Sequence, residues 1–140
     1  MKALTITGTE DSPYVNFNFH ENVYKMGGDS RPENPQLFFK PVIDWVRDLK
    51  GHLYYESQVN KGKTAYHKQL VFEFNFDYLN SISIKFVYEL LKEIDHLNEP
   101  DPLAKVVWNY RADDELMLEN GQDYSEIVKS EFILKEIPKG

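Results

Sequence analysis

Two groups of side chains in this 140-residue chain have the types and spacing to do chemistry. One is the hydroxyl pair Ser81 and Ser83 in "DYLNSISIKF". The other is the carboxylate group Asp113, Asp114, Glu115 and Glu119 in "DDELMLENG". A hydroxyl accepts a phosphoryl group, which adds close to two negative charges at neutral pH. Carboxylates gathered within a turn or two supply the several oxygens a hard cation wants. The four histidines, His20, His52, His67 and His96, are scattered and share no ligand spacing. There is no G-x-S-x-G elbow and no Walker or dinucleotide loop. Cysteine is absent, which excludes disulfides, thiol catalysis and thiolate metal sites and fits a reducing cytoplasm.

The elements that must position these groups follow from hydrophobic periodicity. Leu4 and Ile6 alternate with Thr5 and Thr7 over residues 3–7. Val15, Phe17 and Phe19 alternate with Asn16, Asn18 and His20 over 14–20. Both read as strands with one wet face, and 23–28 returns as a third. Residues 31–51 are helical in character but contain Pro41, which removes a helical N–H and crowds the preceding turn. The expectation is a short helical turn near 35–39 and a second helix starting at Pro41, stopped by Gly51. Leu70, Phe72, Phe74 and Phe76 mark a strand over 70–77. Val87, Leu90, Leu91, Ile94 and Leu97 mark an amphipathic helix over 81–97. Residues 104–110 form another strand, 113–121 a short acidic helix closed by Gly121, and 131–137 a last strand. The order βββ-α-β-α-β-α-β predicts a single α/β (α+β) domain over 1–140, a mixed sheet of about six strands with helices packed on it.

Each chemical group also has a plain structural reading. Asn80 and Ser81 are good N-cap types, and Asp113, Asp114 and Glu115 suit the positive end of a helix dipole. "GGDS" (27–30) reads as a tight turn, and the basic cluster "NKGKTAYHK" (60–68) as a solvated hairpin or loop. The net charge of −7 opposes binding to a phosphate backbone, so no nucleic-acid partner is expected. No apolar run is long enough to span a bilayer, and the first residues lack an apolar leader core. No membrane partner is expected, and the expected location is cytoplasmic.

Several segments, in order, resemble the SiaC family of bacterial regulatory phosphoproteins. They are "TGTEDSPYVNFNF", "MGGDSRPENPQLFFKPVIDWV", "FDYLNSISIKFVYELL" and "VVWNYRADDELMLENGQDYSEIV". The resemblance implies a non-enzymatic switch without a cofactor. A hydroxyl in the family's N-[TS]-S segment is phosphorylated by a dedicated kinase and dephosphorylated by a metal-dependent phosphatase. The unphosphorylated form binds and activates a diguanylate cyclase, within cyclic-di-GMP signalling and biofilm formation. Matched onto this chain the acceptor is Ser81, where the family's usual residue is threonine. Ile82 stands where the family often has serine, and Ser83 is a secondary acceptor. Asn80, Lys85, Asp113, Asp114 and Glu115 are the expected partner-facing residues: Asn80 shapes the acceptor turn, Lys85 tempers the local field, and the carboxylates add a docking surface. The alternative is a metal- or small-ligand-binding enzyme domain centred on Asp113, Asp114 and Glu115.

Overall fold

The computed structural model describes residues 1–59, 69–99 and 102–139. The basic cluster at 60–68, His67 included, lies outside the described residues. The elements are β1 (Leu4–Ile6), β2 (Tyr14–Asn18), β3 (Val23–Ser30), α1 (Pro35–Val59), β4 (Leu70–Leu79), α2 (Ser81–His96), β5 (Ala104–Arg111), α3 (Glu115–Ile127) and β6 (Glu131–Ile137). The six strands form one sheet in the order β1-β2-β3-β4-β5-β6. The first three pair antiparallel. β3, β4, β5 and β6 run parallel to one another. The architecture is the α+β mixed sheet read from the sequence, with the same element order.

Alternation along the strands sorts side chains between two faces. Phe17, Tyr24, Met26, Phe72, Phe74, Val106 and Trp108 are buried on one face. Trp45 of α1 packs its ring on Phe17 and Tyr24, and Tyr124 of α3 packs on Trp108. α2 lies between those helices, joined to α1 by the stacked rings of Phe39 and Phe86 and to α3 by the Tyr124 hydroxyl, which donates to the Ile84 carbonyl at 2.6 Å. All three helices therefore cover one face. The opposite face carries Tyr14, Asn16, Lys25, Glu73, Asp77, Lys105 and Arg111, so charge and amide groups meet water there.

Four local expectations are corrected. α1 is one continuous helix of 25 residues that runs through both Pro41 and Gly51. Asn34 caps it, its side chain accepting from Leu37 N–H at 3.0 Å, and Pro35 takes the first helical position. Pro41 forgoes one bond, to the Leu37 carbonyl four residues back. Both residues are exposed, so the lost bond falls on the wet side of the helix. Burial of Phe39, Val42, Trp45, Val46 and Leu49 on both sides of the proline outweighs the loss.

"GGDS" is not a turn but the end of β3, with a register shift between Gly28 and Asp29. Gly28 sits at φ +91°, and a Cβ on Gly27 would lie 2.2 Å from the Asn75 carbonyl oxygen. The glycines serve a bulge and a close strand approach. The third correction concerns Gly121, which lies inside α3. A Cβ there would come within 2.4 Å of Trp108 Cδ1, so glycine lets the helix rest directly on the indole. β4 also extends two residues beyond the expected end, to Leu79.

Candidate functional site

Because β3, β4 and β5 are parallel neighbours, their last residues, Ser30, Leu79 and Arg111, lie at one rim of the sheet. Each strand hands over to a helix there, so the N-termini of α1, α2 and α3 share that rim. Open parallel sheets carry their sites at the carboxyl ends of the strands. The fold thus brings the two sequence-defined groups, around Ser81 and around Asp113–Glu115, to the same edge of the molecule.

The α2 start is built tightly. Asn80 is the N-cap: its side-chain oxygen accepts from Ser83 N–H at 2.8 Å, and its own N–H donates to the Ser30 carbonyl at 3.0 Å. Ser83 is fully buried at 0% exposure. Its hydroxyl donates to the Ser30 carbonyl at 3.0 Å and lies 2.7 Å from the Ser30 hydroxyl. Ser83 therefore rivets the first turn of α2 to the end of β3. Ser81, two residues earlier, points the other way: it is exposed, and its hydroxyl makes no hydrogen bond to another described residue. No acidic residue stands in this first turn, and Lys85 is exposed one turn on. The helix start keeps its positive dipole end uncompensated by side-chain charge.

The carboxylates of the alternative reading are engaged in local structure. Asp114 is the N-cap of α3, accepting from Met117 N–H at 3.0 Å. Asp113 lies 3.7 Å from Lys139 Nζ. Glu115 is exposed in the first turn, where a negative charge favours the dipole. Asp77 on the neighbouring strand pairs with Arg111, whose guanidinium that bond holds more firmly protonated. Among the described residues no three His, Asp or Glu side chains converge with a geometry able to hold a metal ion. The described histidines stay apart: His20 near the Met1 carbonyl, His52 beside Glu56 in α1 and His96 beside Glu93 in α2.

Sequence reasoning missed a set of apolar residues on the same rim. Leu37 (73% exposed), Ile82 (49%) and Leu116 (61%) stand in the first turns of α1, α2 and α3, and Tyr78 (44%) is the penultimate residue of β4. Each helical one lies off its helix's buried stripe, a signal that was available: Val87, Leu90 and Ile94 define the α2 stripe, and Ile82 does not extend it. Arg31 was also overlooked. Its guanidinium stacks over the Tyr78 ring at 5.7 Å and pairs with Asp11 at 3.2 Å.

Fold and rim together define a single-domain α+β protein with an exposed hydroxyl where three helices begin. The chain belongs to the SiaC family of regulatory phosphoproteins, whose family model matches residues 6–137. An uncharacterized protein of Pseudomonas aeruginosa strain UCBPP-PA14 is 26% identical over 135 residues, covering 96% of this chain and 97% of that one. Among solved structures, SiaC of Pseudomonas aeruginosa superposes with a TM-score of 0.78 at 23% identity, over 98% of this chain and 100% of that one. The complex of the diguanylate cyclase SiaD with its activator SiaC, from the same organism, matches with a TM-score of 0.78 at 24% identity, over 96% and 99% of the two chains. These likenesses establish the shared fold. No helix among the described residues is long and apolar enough to cross a membrane.

Proposed function

We propose that this chain is a non-enzymatic signalling adaptor switched by phosphorylation of Ser81, and that its unphosphorylated rim docks and activates a partner protein. Family membership supports a regulatory phosphoprotein. The solved complex in which SiaC is the activator of SiaD supports a diguanylate cyclase as the partner and cyclic-di-GMP output, with biofilm formation downstream. A protein kinase and a metal-dependent phosphatase complete the cycle in the cytoplasm.

The observation that carries this reading is the contrast between the two hydroxyls. Ser81 is open to an enzyme, while Ser83 is sealed against Ser30. Around Ser81 the rim presents apolar Leu37, Tyr78, Ile82 and Leu116, material for a desolvated contact. A phosphoryl group beside them places close to two negative charges in a surface that the partner must dry. An unpaired charge in such a contact costs several kcal/mol. The switch is therefore a matter of desolvation, and no catalytic group is needed on this chain. Asn80 fixes the acceptor turn, Lys85 moderates the local potential, and Asp113, Asp114 and Glu115 border the same rim.

The test is titration calorimetry of a diguanylate cyclase partner against wild type, Ser81→Ala and Ser81→Asp. Ser81→Ala is expected to keep wild-type affinity, and Ser81→Asp to weaken it roughly 100-fold, equivalent to about 2.7 kcal/mol. Equal affinity in all three proteins would sink the switch. Site mapping on protein from the native host is expected to place the phosphoryl group on Ser81 and not on Ser83.

A further inference from the structure

The sheet has two edges, and they are unequal. β1 is three residues long, a short edge of the kind that discourages pairing. β6 is seven residues long, in unbroken register with β5 from Glu131 to Ile137, and among the described residues it pairs with no strand on its other side. It has no bulge and no internal proline; Pro138 follows its last residue. Its entry is held firmly. Asp95 at the end of α2 accepts from the N–H groups of Lys129 and Ser130 at 3.0 and 2.9 Å, and Asn98 donates to the Ser130 hydroxyl at 2.8 Å. A straight, anchored strand with one side unpaired presents a row of backbone donors and acceptors.

The β6 sequence, Glu-Phe-Ile-Leu-Lys-Glu-Ile, is complementary to itself in one antiparallel register. Centred on Ile133, the pairing sets Glu131 opposite the second copy's Lys135, and Lys135 opposite its Glu131, on the helix-free face. On that face Ile133 (36% exposed) meets Ile133 of the second copy. On the helix-covered face Phe132 meets Leu134 twice, and both are only half-buried at the bare edge. Neighbouring registers lose this match. Centred on Phe132, Lys135 faces Lys129; centred on Leu134, Glu136 faces Phe132 and no opposite charges pair; centred on Lys135, two lysines face each other. Opposite-charge and apolar cross-strand pairs stabilise a ladder, whereas like charges directly opposite destabilise it.

We propose that β6 is a homodimerisation edge, through which two copies of this chain join about a two-fold axis at Ile133 into a continuous twelve-stranded sheet. Such an interface is isologous and closes on itself, so assembly stops at two. A single strand pair is smaller than the contact of a permanent complex, so the dimer forms in a concentration-dependent equilibrium. The edge and the α2 start are different parts of the molecule, and dimerisation leaves the Ser81 rim free for a partner.

Charge exchange and a cysteine reporter test this together. Sedimentation of the wild-type chain over a wide concentration range is expected to show a monomer–dimer equilibrium. Lys135→Glu, which sets two Glu–Glu pairs in this register, is expected to weaken it about tenfold. The double variant Glu131→Lys with Lys135→Glu restores opposite pairing and is expected to recover most of the dimer. Because the chain has no cysteine, Ile133→Cys gives one thiol that faces its own copy at disulfide distance. Its oxidative cross-linking is expected to be far faster than that of Lys135→Cys, and circular dichroism confirms that each variant is folded. A strict monomer, a dimer indifferent to the charge variants, or equal cross-linking at 133 and 135 overturns the proposal. Should Lys135→Glu fail to fold, the comparison of the two cysteine variants decides alone.

Discussion

At the scale of single residues, a few polar groups fasten the helices to one another and to the sheet. The Tyr124 hydroxyl bonds the Ile84 carbonyl while its ring packs on Trp108. Burial, and then the nearby Asp123, raise the Tyr124 pKa well above the usual phenol value. Burial, with Glu73 and Asp77 adding to it, also raises that of Tyr14. A raised folded-state pKa means the fold keeps the proton longer than the unfolded chain does. The stability it represents is complete below about pH 10, the unfolded phenol value, and is lost as pH rises through the folded value. Tyr124→Phe is expected to lower urea stability at neutral pH by about 1 kcal/mol, and to flatten the loss of stability above pH 10. An alkaline profile of the variant that parallels wild type would contradict this assignment. At this scale the sequence was half legible. The hydroxyl pair and the capping potential of Asn80 could be read directly. Which hydroxyl faces inward depended on seeing that Ser83 lies one turn before Val87, on the buried stripe, whereas Ser81 does not.

At the scale of elements, packing overrides local punctuation. Pro41 and Gly51 look like a start and a stop, yet α1 passes through both: Phe39 and Val42 are buried on either side of the proline, and beyond the glycine His52 packs on Phe19 and Leu53 packs against the core. Gly121 looks like a helix end, yet it is a contact point between α3 and Trp108. Local rules read the dihedral cost of such residues but not the partner that a missing Cβ admits. Gly121→Ala is therefore expected to destabilise despite alanine's better helix propensity. The loss, about 1–3 kcal/mol, reflects overpacking against Trp108 and Leu134. Chemical denaturation followed by circular dichroism measures it, and an unchanged or raised midpoint would show that the indole moves aside at no cost. Strand alternation, by contrast, was legible along most of β4: Leu70, Phe72, Phe74 and Phe76 are buried and Glu73 and Asn75 are not. Nothing in that run competes with the period of two, whereas the bulge at Gly28 and Asp29 breaks it in β3.

At the scale of the whole molecule, one face of the sheet holds the core and one rim gathers three helix starts. The carboxylates Asp113 and Asp114 are committed to Lys139 and to the Met117 N–H. A thermal-shift series with magnesium, calcium and manganese is accordingly expected to leave the melting temperature unchanged. A saturable rise lost in Asp114→Asn would revive the metal reading, because a ligand selective for the folded state stabilises it. The α+β class was legible from element order alone. The rim was not, because it forms only when β3, β4 and β5 lie side by side in the same direction.

The strands also lie across the sheet in the order in which they occur along the chain. No strand must wait for a later one to slot in between itself and its sequence neighbour. As the polypeptide leaves the ribosome, each newly made strand finds its docking place already exposed at the growing edge. Assembly can then proceed by successive addition from the amino end, each parallel strand closing only the one helical crossover that separates it from its predecessor.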